Sequence, residues 1–209
     1  MLIYRCVRAL FRVIAYPMFR FRVEGAERVP AVGPAVVVAA HRSWLDPACV
    51  GGAISRPVRF LIMERVYRHW WARWFYDGMA SIPVRAGAEP ITVTALRGAL
   101  RALRRGELIG VFPEGRVVRD GPLGEMQPGA AMLAVRSGAP VIPVAIYGSS
   151  RAWPHGRRWP GPAPVRVVIG RALQPPEGRG REVVDRFLPQ IRTALEELGR
   201  EEGSPCTQS

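Results

Sequence analysis

Two rhythms of hydrophobic residues alternate along this chain. Continuous apolar runs occur at 33–40 (GPAVVVAA), 58–63 (VRFLIM), 79–84 (MASIPV), 107–112 (ELIGVF), 140–148 (PVIPVAIYG) and 165–170 (VRVVIG). Short runs of this kind, bounded by glycine, proline or charge, read as buried strands. FRFRVEG at 19–25 reads as a further short strand. Between the runs the period changes. In 89–106, Val93, Leu96, Leu100 and Leu103 recur at three- and four-residue steps and Gly106 closes the segment, which predicts a helix. Helices are also expected over 46–54, the aromatic-dense 66–76, 129–138 and about 180–199, and a Pro/Gly-rich loop over 153–164. Strands alternate with helices, and the strands are apolar throughout rather than at every second residue. That combination predicts a single α/β domain with a mostly parallel sheet covered by helices on both faces.

An amphipathic helix precedes the domain. On a helical wheel Arg5, Arg8 and Arg12 share one edge, while Leu2, Ile3, Cys6, Val7, Leu10, Val13 and Ile14 cover the other side. The arginines interrupt every stretch that would approach the roughly 20 apolar residues of a membrane span. Pro17 is expected to end the helix. Its apolar side either packs on the domain or lies in a lipid headgroup layer with the arginines on phosphates. The expected organisation is an interfacial helix over 1–18, one domain over 19–199 and a flexible tail over 200–209.

Composition narrows the partners. The formal charge is +13, and all 30 basic residues are arginine. Guanidinium forks suit phosphate and carboxylate, so an anionic partner is expected: nucleic acid, an anionic membrane or a phosphorylated substrate. No helix-turn-helix, zinc-finger or aromatic RNA-binding signature is present, and the arginines are dispersed, which disfavours nucleic acid. Three cysteines, Cys6, Cys49 and Cys206, and three histidines lack metal-site spacing, so no metal is expected, and the odd, scattered cysteines fit a reducing compartment.

Candidate chemistry gathers past the carboxyl ends of the strands, where α/β sheets place their sites. His41 and Asp46 follow the run 33–40, Arg85 follows 79–84, and Glu114-Gly115-Arg116 follow 107–112. A neutral imidazole at His41 can act as a general base if a carboxylate fixes its tautomer. Asp46 has a competing structural reading as a helix cap, because Pro47 follows it and Ser43 lies three residues before it. Ser43 lacks the strand-to-helix elbow of a nucleophilic serine.

Four ordered blocks of this sequence resemble the glycerolipid acyltransferase family. VEGAERVPAVGPAVVVAAHRSWLD resembles the family's entry into its H-x4-D motif, matched by His41 and Asp46. GMASIPVR, with Gly78 and Arg85, resembles the second block, VFPEGRVVRDG the third, and APVIPVAIYGS, with Pro143 at its centre, the fourth. The likeness spans about residues 20–170. It implies transfer of a fatty acyl group from acyl-CoA or acyl-carrier protein, as co-substrate, to the free hydroxyl of a lysophospholipid, with 1-acylglycerol-3-phosphate as the expected acceptor and phosphatidic acid as the product. His41 would be the base and Asp46 its support. Arg85, Glu114, Gly115 and Arg116 would hold the glycerol-phosphate end. No cofactor is implied, and the enzyme would lie on the cytoplasmic face of the cell membrane as a peripheral or monotopic protein. In the third block the family commonly has Thr-Arg-Ser after Phe-Pro-Glu-Gly, where this chain has Arg116-Val117-Val118. That departure falls on the headgroup contacts, so another lysophospholipid acceptor, or a catalytically silent lipid-binding relative, is the alternative.

Overall fold

In a computed structural model, residues 9, 11, 13, 15–63, 81–84, 93–118, 121–154 and 156–200 are described. Among the described residues seven strands form one sheet: β1 (Arg22–Glu24), β2 (Ala35–Ala39), β3 (Val58–Met63), β4 (Ile82–Val84), β5 (Leu108–Val111), β6 (Val141–Tyr147) and β7 (Arg166–Ile169). Among the described residues the sheet is flanked by the amino-terminal helix that ends at Phe19 and by α1 (Asp46–Ala53), α2 (Val93–Arg104), α3 (Gly129–Ser137), the short α4 (Ser149–Ala152) and α5 (Arg181–Arg200). The strand order is β1-β7-β6-β2-β5-β3-β4. Strands β6, β2, β5, β3 and β4 run parallel, β7 is antiparallel to β6, and β1 is parallel to β7. The expected α/β class and mostly parallel sheet are what the chain forms. The predicted helix over 66–76, residues 89–92 of the next helix and the tail beyond residue 200 lie outside the described residues.

Side chains of β2 are buried on both faces. Ala35, Val37 and Ala39 join one apolar cluster with α1 residues Cys49 and Val50 and with Phe19 and Phe21, whereas Val36 and Val38 join the other with α2, α3 and α5. Full burial on both sides explains why the strands read as continuous apolar runs. Pro143 sits inside β6 without a backbone N–H. Its carbonyl accepts from Gly170 at 2.8 Å, beyond the last residue that β7 pairs with β6, so the missing donor falls where the ladder ends.

The helical residues described at 9, 11, 13 and 15–19 show that Pro17 does not end the amino-terminal helix, which continues to Phe19. A proline deprives the carbonyl four residues earlier of its donor. Here that residue is Val13, which is exposed, so the freed carbonyl is open to solvent rather than buried without a donor. Pro189 occupies a similar exposed place inside α5. Among the described residues no helix is long and apolar enough to cross a membrane.

Connections β2→α1→β3 and β5→α3→β6 leave the centre of the sheet in opposite directions, with α1 on one face and α3 on the other. Such a reversal opens a crevice at the strand ends between them. Adjacent pairing of β2 with β5 therefore brings the segments after Ala39 and Val111 side by side.

Candidate active site

His41 and Glu114 leave these neighbouring strands and meet at once. The backbone N–H of His41 donates to Glu114 Oε2 at 2.7 Å, and its carbonyl accepts from the N–H of Val118 at 2.7 Å. The imidazole is held as firmly as its backbone. Phe112 stacks on it with ring centroids 4.3 Å apart, and Phe60 stacks in turn on Phe112 at 5.7 Å. Gly110 makes room for this pile: a Cβ there would lie 2.5 Å from the Phe60 ring.

Asp46 is fully buried, and its Oδ2 lies 3.0 Å from His41 Nδ1. The same oxygen accepts the N–H groups of Arg42 at 2.6 Å and Ser43 at 2.7 Å. An oxygen that already accepts two N–H groups leaves only the donor role to Nδ1, so in the neutral ring Nδ1 carries the hydrogen and Nε2 the lone pair. The competing cap reading is met in part. Asp46 is the first residue of α1, behind an N-cap at Leu45 that makes no side-chain cap bond, and its bond to Ser43 N–H closes the turn that leads into the helix. One carboxylate thus starts a helix and orients an imidazole. Its Oδ1 is buried without a hydrogen-bond partner among the described residues. Cys49, one turn further along α1, is fully buried; burial and the Asp46 charge push its thiol well up, so it is no nucleophile. Ser43 is buried too, its hydroxyl accepting Leu45 N–H at 3.3 Å.

The other predicted residues divide. Glu114 is buried, and both its oxygens are spent on backbone groups, Oε2 on His41 and Oε1 on Gly124 N–H at 3.0 Å. Gly115 takes the left-handed conformation (φ 63°) that turns the chain sharply, leaving Arg116 exposed. Arg85 lies outside the described residues. The sequence did not single out Phe112, nor the Val118 and Gly124 backbone groups, because a stacking ring and a peptide N–H leave no residue signature. Arg42 is a further one: its Nη1 donates to Val118 carbonyl at 3.0 Å and ties the third block to the first.

A cleft of about 660 Å³ opens past the end of β2 on the side of the sheet that carries α5, whereas the imidazole turns toward Phe112 and Phe60 on the side of α1. Ala40, Arg42, Leu123, Tyr147, Gly148 and Glu196 are among the residues that line it.

Known proteins resemble this chain in sequence and in fold. The sequence profile of a family described as Acyltransferase matches residues 20–147, more than half of the chain. A chloroplastic 1-acyl-sn-glycerol-3-phosphate acyltransferase of Arabidopsis thaliana is 28% identical over 76% of this chain and 45% of its own length. A 1-acyl-sn-glycerol-3-phosphate acyltransferase of Pseudomonas aeruginosa is 27% identical over 84% of this chain and 66% of its own. The chain thus spans less than two thirds of either relative. The crystal structure of the acyltransferase PlsC from Thermotoga maritima superposes with a TM-score of 0.79 at 24% identity, covering 98% of this chain and 81% of that one, which establishes a common fold.

Proposed function

The chain belongs to the acyltransferase family, and from that premise we propose that it transfers a fatty acyl group from a thioester to the free hydroxyl of a lysophospholipid, 1-acylglycerol-3-phosphate being the first acceptor to test. The observation that carries the reading is His41: its Nδ1 is bound to the buried Asp46, its backbone is held at both ends, and its Nε2 is left as the acceptor. Nε2 takes the proton of the acceptor hydroxyl as that oxygen attacks the thioester carbonyl. The new C–O ester bond forms and the C–S bond breaks. The departing thiolate leaves as the thiol, collecting the proton that Nε2 holds. Asp46 supports the imidazolium between these steps. No acyl-enzyme is required, in keeping with the buried, unreactive Cys49 and Ser43. Free acyl-CoA and acyl-carrier protein are both donors of the right chemistry.

Glu114 acts in this reading by holding His41 and Gly124, while Arg116 and Arg85 remain the cations offered to the phosphate. The proposed partner of the whole site is an anionic membrane surface on the cytoplasmic side. The amino-terminal helix serves both readings of its apolar side. Phe11, Ala15 and Phe19 face the domain, whereas Val13 is 72% and Tyr16 40% exposed. Exposed aromatic residues with arginines favour the boundary between headgroups and acyl chains.

The test is thiol release from acyl-CoA and from acyl-carrier protein with a panel of lysophospholipids, comparing wild type with His41→Ala. Acceptor-dependent release that falls by 10²–10⁴-fold in the variant supports the assignment and names the headgroup. Release within a few-fold of wild type refutes His41 as the base, and no release by the wild type with any pair overturns the reaction.

A further inference from the structure

We propose that Arg192, on α5 and remote in sequence from every block of the site, is a positioning residue for His41. Its Nη2 donates to the carbonyl of Gly124 at 2.6 Å, and its Nη1 to the carbonyl of Leu123 at 3.3 Å and to Glu196 at 2.9 Å. The Leu123–Gly124 peptide therefore stands between two charges. Its carbonyl oxygen faces the guanidinium, and its N–H donates to Glu114 Oε1 at 3.0 Å. A peptide dipole aligned between a cation and a carboxylate strengthens both hydrogen bonds, since each polarises the other. Arg192 reaches the buried Glu114 through this one peptide group. The second carboxylate oxygen then holds the N–H of His41 at 2.7 Å.

The path is short and each link is directional: guanidinium, peptide, carboxylate, backbone of the base. Gly124 is suited to its place, because a Cβ there would approach Glu114 Oε1 to 3.3 Å. Glu196, the acidic partner of Arg192, also lines the cleft past the end of β2, so the same helix both borders that cleft and anchors the 123–124 loop. Displacing a catalytic group by about an ångström costs on the order of a hundredfold in rate while leaving substrate contacts in place. The expected signature of losing Arg192 is therefore a fall in kcat without a matching rise in KM.

The proposal rests on the acyltransferase reading for its kinetic arm only, and a second arm reads the imidazole directly. Protein labelled with ¹⁵N-histidine is prepared as wild type, Arg192→Ala, Arg192→Lys and, as a control, Arg186→Ala, an exposed residue of the same helix paired with Glu182. The Nδ1–H resonance of His41, assigned by its loss in His41→Gln, reports the bond to Asp46. Arg192→Ala is expected to shift or broaden that resonance and to lower kcat about tenfold or more with KM within about twofold. Lysine should restore most of both, and Arg186→Ala should match wild type. An unmoved resonance in Arg192→Ala overturns the proposal, as does a lysine variant no better than alanine, which would mark plain packing. If Arg192→Ala does not fold, Arg192→Gln replaces it, keeping volume without charge. A wild type that turns over no substrate refutes the reaction while the resonance still decides the role of Arg192.

Discussion

At the scale of single residues, Asp46 carries more than one duty on one oxygen. Its Oδ2 accepts from His41 Nδ1, Arg42 N–H and Ser43 N–H together. The two backbone bonds belong to the turn that begins α1, and the third belongs to the chemistry. Asp46→Asn separates them. An amide oxygen in the same place still accepts N–H groups, so the turn survives, but the charge that supports an imidazolium is gone. The expected result is a folded protein by circular dichroism whose kcat for thioester cleavage is down on the order of 10²–10⁴-fold. A rate within a few-fold of wild type would reduce Asp46 to a turn former.

At the scale of elements, three strands cooperate under the imidazole. Phe60 comes from β3, Gly110 from β5 and Phe112 from the residue after β5, and their stack ends on His41 from the residues after β2. Phe60 is wholly buried across Gly110, so the pile cannot shift downward. Gly110→Ala forces the Phe60 ring to move and pushes Phe112 toward the imidazole. Overpacking of this kind costs about 1–3 kcal/mol. Urea denaturation should show a loss in that range, accompanied by a lower kcat. An alanine variant as stable and active as wild type would show that the ring pile is loose.

At the scale of the molecule, the antiparallel β7 changes what the catalytic edge contains. Because β7 runs opposite to β6, its start lies at the edge where β2 and β5 end, and residues 156–164 lead into it there. Phe19 carbonyl accepts the N–H of Val165 at 2.8 Å, so the amino-terminal helix finishes at the same edge. Around it stand exposed Trp44 and Trp159, with Arg20, Arg151, Arg157 and Arg158 also exposed. An anionic bilayer meets guanidinium with phosphate and indole with the headgroup boundary. Replacing Arg157 and Arg158 together by alanine should weaken binding to phosphatidylglycerol-containing vesicles by roughly 2 kcal/mol, about thirtyfold, in a sedimentation assay. Equal binding of variant and wild type would remove this loop from the membrane-facing surface.

Much of this protein is legible in its sequence, and physics separates what is from what is not. The strand at 58–63 coincides residue for residue with β3, and 129–138 and 140–148 enclose α3 and β6 within a residue or two. Apolar runs and helical periods are local consequences of burial, so they report burial faithfully. His41, Asp46 and Glu114 were visible because unusual side chains follow apolar strands. The pairing of His41 with Asp46 was legible too, but the backbone partners of Glu114 were not. Glu114 reads as a headgroup ligand in sequence, yet its oxygens are taken by two peptide N–H groups, and any residue can offer a peptide N–H. Arg192 is one arginine among the 30 basic residues, and only the packing of α5 against the 123–124 loop distinguishes it. Side-chain chemistry and periodicity belong to the chain itself. Which strand lies beside which, and therefore which backbone groups a buried carboxylate can reach, is decided only when the sheet closes its crevice between β2, β5 and β6.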